Sequence, residues 1–209
     1  MKRHNYILQL LLICLLSCNI NKDKAKSLLQ NANPFKKQIT FSTIHILPLG
    51  KVSNQVLIDV KSGLKEFYNK EVIVDKEVPL DKSLLAKSGL RYSADSILKK
   101  FANNNVTLII TEKDIISKKD KVEEYGIFGL GYQPGKTCVI SPFRPRWHST
   151  PAILRDRLQK ISIHEVGHNL GLPHCTNNKE CLMNAANGTI KQVDQEKMFF
   201  CEACKKKIK

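Results

Sequence analysis

No internal repeat is evident in the 209 residues, which excludes solenoid and propeller architectures. The mostly apolar run from Ile7 to Leu16 is too short for a stable bilayer-spanning helix. Acidic residues are the scarce charge, 19 Asp and Glu against 34 Lys and Arg, and the formal net charge is +15. Such an excess suggests nucleic acid or an anionic surface as partner. The lysines are scattered, however, with the densest groups at Lys118, Lys119 and Lys121 and at Lys205, Lys206, Lys207 and Lys209, and no recognition motif accompanies them. No nucleic-acid partner is expected, and the basic surface reads as solvated, able to sit near anionic lipid headgroups. A hydrophobic content of 42% suffices for one globular domain with a sizeable core.

The N-terminus reads as a segment apart from that domain. Lys2 and Arg3 precede the apolar run, the order of a signal peptide. Leu15, Leu16, Ser17 and Cys18 resemble a bacterial lipobox, in which cleavage before the cysteine is followed by its lipidation. The expected organisation is a lipoprotein signal peptide over 1–17, a lipid-anchored polar tether over 18–37 and the folded domain over 38–209, giving an exported, membrane-anchored bacterial lipoprotein. A plain signal peptide or an uncleaved anchor is the alternative.

Along the domain, residues 39–48 are β-branched and apolar and read as a strand containing His45. Val56, Val60, Leu64 and Phe67 recur at helical spacing through 54–68, and Glu71 to Val78 reads as a second strand. Residues 81–92 read as irregular. Ser93 can cap a helix over 94–102, and VTLIIT, Val106 to Thr111, is the continuous apolar run of a central strand buried on both faces. Strand, helix, strand, helix, strand predicts an α/β layer with largely parallel pairing. Residues 125–141 read as two strands joined by the turn QPGK, with Cys138 a buried strand cysteine. Glycines 126, 129 and 131 either admit a substrate chain or mark bulges. His148, in the loop SPFRPRWHS, is a candidate for the cleft. Thr150 and Pro151 then open a helix to about Leu170, with Ile163, Val166 and Leu170 as its apolar stripe, and Thr189 with Gln192 predicts a capping box for a last helix to about Phe200.

Residues 164–183, HEVGHNLGLPHCTNNKECLM, carry the chemistry. Four residues on a helix return a side chain to the same face, so His164 and His168 can hold one metal ion together. Glu165 then stands beside the ion, where it can take a proton from a metal-activated water. Gly171 suits the left-handed stop that ends the helix, and the reversal brings back His174. Three imidazoles leave one tetrahedral position for water, the pattern of catalytic zinc. A bare HExxH also arises on amphipathic helices that bind no metal, but here the glycine, the third histidine and Met183 follow in the metzincin order, HExxHxxGxxH with a Met-turn.

Four cysteines complete the pattern: Cys175 directly after the third histidine, Cys181 in a CxM, and Cys201 with Cys204 in a terminal CxxC. This arrangement resembles the archaemetzincins. The resemblance implies a compact, single-domain metzincin-like α/β fold with a mixed sheet, an active-site helix and a C-terminal cysteine-rich zinc subsite. It implies a zinc peptidase with His164, His168 and His174 on a catalytic ion, Glu165 as general base, Met183 as a packing floor, and Ile127 to Gly131 as the edge strand that a peptide substrate joins. It also implies a second, structural zinc held by Cys175, Cys181, Cys201 and Cys204. In an exported protein the same four could instead form two disulfides. Five residues separate Cys175 from Cys181 where the family pattern has four, the extra one lying in the polar loop TNNKE. The chain is expected to act as a monomer. A lipid-anchored zinc protein that binds peptides without cleaving them, and a module whose metals serve stability alone, are the rival readings, and the intact Glu165 argues against the first.

Overall fold

The computed structural model describes residues 41–208. The expected leader, the expected lipidation site at Cys18 and the expected tether therefore lie outside the described residues. Strand β1 (Thr43–Pro48) leads into helix α1 (Asn54–Tyr68) and strand β2 (Glu71–Val74). After a short 3-10 turn at Lys82–Leu84 come β3 (Tyr92–Ser93), α2 (Ala94–Lys100) and β4 (Val106–Ile110). Strands β5 (Ile115–Lys119), β6 (Val122–Ile127), β7 (Gly129–Gly131) and β8 (Thr137–Ile140) precede the long helix α3 (Pro151–Asn169) and two short ones, α4 (Ile190–Gln195) and α5 (Glu202–Lys205).

Five strands form a mixed sheet in the order β2-β1-β4-β8-β7. The first four run parallel, and β7 closes the edge antiparallel to β8. Strand β4 is central and every residue in it is buried, as its unbroken apolar run implies. Its side chains alternate between two cores. Leu108 and Ile110 join Ile44, Ile46, Val60 and Leu64 against α1 and α3, whereas Ile109 joins Ile97, Leu98 and Val139 against α2.

Helix boundaries follow local chemistry. The Ser93 hydroxyl accepts from Ser96 N–H at 3.2 Å, and the Thr150 hydroxyl accepts from Ile153 N–H at 3.3 Å with Pro151 opening the helix, each cap worth about 1 kcal/mol. The capping box at the last helix does not form. Thr189 Oγ1 donates back to the Ala186 carbonyl, Gln192 turns to Glu196, and the helix ends at Gln195 rather than Phe200. Helix α3 also departs from a one-sided stripe: Ile163 and Val166 are fully buried, but so are most of Arg157, Lys160, Glu165 and His168.

A second sheet, β3-β5-β6, stands apart from the first and was not visible in the sequence. Its hairpin turns at Asp120, whose φ of 52° is left-handed. Ile127 ends β6 in this sheet, so the edge strand of the main sheet is Gly129–Gly131 and shorter than the Ile127 to Gly131 expected.

Candidate metal centre and cleft

The last turns of α3 carry His164 and His168 on one face. Leu170 N–H still reaches the Val166 carbonyl at 3.1 Å, and Gly171, at φ 90°, then turns the chain, its N–H donating to the His168 carbonyl at 2.8 Å. Buried Leu172 anchors the reversal, and His174 comes back over the helix. The three imidazoles offer ring nitrogens within 4.8 Å of one another.

Two of the rings have their tautomer decided by the backbone. His164 Nδ1 lies 2.7 Å from the Leu182 carbonyl and His168 Nδ1 lies 2.7 Å from the Leu172 carbonyl. A carbonyl only accepts, so both Nδ1 atoms carry the proton and both Nε2 lone pairs are left for a metal. Burial pushes the pKa of His164 down to about 3, helped by His168 and opposed by the Leu182 bond, and pushes His168 down to about 4. His174 is lowered by burial and then by Lys119. The rings are therefore neutral at neutral pH, as metal ligation requires.

Glu165 is buried and faces β7, and burial lifts its pKa to about 8. With His164, His168, His174, Leu130 and Gln133 it lines a cleft of about 230 Å³. The glycines of this region are packed closely against the protein's own atoms. A Cβ at Gly129 would stand 2.6 Å from Glu165 Oε1, one at Gly131 would stand 2.7 Å from the Glu165 carbonyl oxygen, and one at Gly126 would enter the Arg144 guanidinium. Each makes room for the protein's own side chain or backbone. Beneath the histidines, buried Met183 brings its Sδ against Gly167, which lies between His164 and His168 in the helix.

The four cysteines form a second cluster. Cys175, Cys181, Cys201 and Cys204 are buried, and their Sγ atoms all lie within 4.8 Å of one another. Cys175 Sγ is 3.6 Å from Cys201 Sγ, and Cys181 Sγ is 3.9 Å from Cys204 Sγ. Sulfurs at the corners of a tetrahedron around zinc stand about 3.8 Å apart, whereas a disulfide bond is about 2.05 Å. The longer loop between Cys175 and Cys181 closes on Asn178, whose Oδ1 accepts from Glu180 N–H at 2.8 Å and whose carbonyl accepts from Cys181 N–H and Asn184 Nδ2.

Other side chains singled out in the sequence stand elsewhere. His45 pairs with Asp75 at 3.0 Å on β1, His148 is exposed outside the cleft, and Cys138 is buried in β8. Asn169 was missed. Fully buried, with its amide nitrogen turned to the Tyr132 and Thr137 carbonyls at 3.1 Å each, it ties the end of α3 to the strands beside the cleft. Missed too were Tyr125, Lys160, Val193 and Glu196, which line an adjoining hollow. Lys160 and Glu196 had no signal, because charged residues in a polar stretch read as solvated.

Residues 38–209 match the family model of Peptidase family M54. The archaemetzincin of Archaeoglobus fulgidus is 32% identical over 166 residues, covering 79% of this chain and 98% of that protein, and the archaemetzincin of Halobacterium salinarum is 28% identical over 176 residues with the same coverage. The crystal structure of the Archaeoglobus fulgidus archaemetzincin, solved in complex with malonate, superposes with a TM-score of 0.71 at 31% identity, over 79% of this chain and 99% of that one. The archaemetzincin structure from Methanopyrus kandleri, 19% identical, shares the fold with a TM-score of 0.67 over 80% of this chain and 93% of that one.

Proposed function

The chain belongs to peptidase family M54, the archaemetzincins, and is a zinc metallopeptidase; from that premise we propose that His164, His168 and His174 hold the catalytic ion and that Glu165 is the general base. The observation that carries this assignment is the pair of Nδ1-to-carbonyl bonds, which leave two Nε2 lone pairs to converge with His174 on one point. A bound zinc supplies Lewis acidity to the scissile carbonyl and acidifies water. Glu165, in the same cleft, accepts the proton of the attacking water and returns it to the leaving amine. The edge strand β7 borders the cleft and offers backbone groups to an extended peptide.

Glu165→Gln keeps the shape of the side chain and removes its basicity. The expected result is unchanged zinc content with kcat lowered by about 10²- to 10⁴-fold on a peptide library. Cleavage at a rate near that of the parent rejects the role. Peptide binding without cleavage by the parent protein itself supports a non-hydrolytic zinc protein instead.

The four cysteines are assigned to a second, structural zinc, an assignment supported by sulfur spacings that fit a thiolate tetrahedron. Cys18 is assigned as the lipidated residue of a membrane-anchored monomer, on the strength of the lipobox-like LLSC and the polar segment after it. Cys18→Ser should move the protein from the membrane to the soluble fraction of a bacterial host. Retention in the membrane fraction sinks the lipid assignment.

A further inference from the structure

The cleft over the histidines adjoins a second hollow of about 280 Å³, which shares His164, Glu165 and His174 with it. A side chain beside the scissile bond is therefore what reaches this space. Its walls are largely apolar, with Ile127, Phe128, Ile161 and Val193 among them. Two lysines of its lining, Lys118 and Lys119, are exposed; the first pairs with Glu123 at 2.6 Å and the second lies over the Tyr125 ring. Apart from Glu165, which belongs to the cleft as well, the buried charged residues of the lining are Lys160 and Glu196, 6% and 5% exposed.

The charges around these two do not balance. Lys160 Nζ is held by Asp156 at 2.7 Å, and Arg157 is held by both oxygens of Asp194 at 2.7 and 2.8 Å. Each cation thus has its own carboxylate, and Glu196 is left over. Its Oε1 accepts a long hydrogen bond, 3.3 Å, from the neutral Gln192 amide. Burial raises its pKa to about 7, with Lys160 offsetting part of the rise. A buried carboxyl of this kind is stabilised by a cation brought to it, and an arginine or lysine side chain carries one on an apolar stem suited to the walls. An uncharged side chain would fill the walls and leave Glu196 as it was.

We propose that this hollow receives the side chain of a substrate residue flanking the scissile bond, and that Glu196 makes it selective for arginine or lysine there. The inference rests on the peptide-hydrolysis reading above and adds the class of side chain.

Citrulline has the shape of arginine without its charge and so isolates the charge. Peptides differing only by arginine or citrulline at each flanking position are compared by kcat/KM, using the zinc-loaded protein and its Glu196→Gln variant. In the parent, arginine is expected to exceed citrulline by about tenfold or more at one of the two positions. In Glu196→Gln the ratio is expected to fall to near one. Equal rates in the parent, or a preference that survives the substitution, overturn the proposal. If the variant does not fold, the parent's ratio decides alone. Calorimetric titration with N-acetyl-arginine amide and N-acetyl-citrulline amide separates the two layers of the inference. Glu196-dependent binding of the arginine compound by a protein that cleaves no peptide supports the pocket and sinks the hydrolytic reading. Cleavage with no discrimination does the reverse.

Discussion

Between Gly129 and Glu165 there is no space for a methyl group, since a Cβ there would lie 2.6 to 2.8 Å from three atoms of the carboxylate side chain. Gly129→Ala must therefore push Glu165 or the edge strand aside while the histidines keep their own backbone bonds. Zinc content should stay at the parental level while kcat falls by about 10²-fold, the cost of misplacing a reacting group by about 1 Å. Parental kcat in that variant would mean that the position of Glu165 is not what the glycine protects. At this scale the sequence was most legible where spacing alone decides geometry: i and i+4 histidines, a glycine at the stop, a third histidine after it. It was least legible where burial decides, because nothing in QVDQEK distinguishes the buried Glu196 from a solvated one.

Helices and strands show the same division. The apolar run of β4 and the caps of α2 and α3 are local signals, and they fall where the sequence puts them. The β5–β6 hairpin lacks such a signal, since Lys118, Lys119, Asp120 and Lys121 mask its turn as a solvated charge run. Helix α3 is buried far around its girth because Arg157 spends its polar atoms on Asp194 and on the Pro145 and Trp147 carbonyls, a network no periodicity announces. Just past the C-terminus of α4, Glu196 adds a pH dependence. An unfolded glutamate releases its proton near about pH 4.3, whereas the folded one does so at about 7. Between those values the folded state holds a proton that the unfolded state has lost, so stability falls as pH rises. The contribution is complete below about pH 4.3 and gone once pH has risen through the folded value. Glu196→Gln does not titrate, so its Tm relative to the parent should be higher at pH 8 than at pH 5, by about 2–4 °C for each kcal/mol involved. A Tm difference that is the same at both pH values would show that Glu196 is solvated after all.

Across the whole molecule, the parallel order of the main sheet was readable from the alternation of strands and helices, whereas the linkage between the histidine and cysteine clusters was not. That linkage runs through residues 181–183. Cys175 N–H donates to the Met183 carbonyl at 2.7 Å, Leu182 N–H donates to Phe199 at 3.0 Å, and Cys201 N–H points at Cys181 Sγ at 3.3 Å. The carbonyl that fixes the His164 ring belongs to Leu182, inside this clamped segment. Loosening the thiolate cluster should therefore release His164 from its orientation, and outer partners of this kind are worth about 10- to 100-fold in metal affinity. The parent protein should contain two zinc ions per chain, the histidine-bound one leaving first in chelator, because an open three-ligand site holds metal less tightly than a closed four-thiolate one. Cys204→Ser should lose the tightly held ion and also weaken zinc binding at the intact histidines. His174→Ala should lose only the easily removed ion, because none of the clamping bonds involves it. Should Cys204→Ser remain folded and bind its histidine-site zinc with parental affinity, the two centres are independent and the clamp does not serve the cleft.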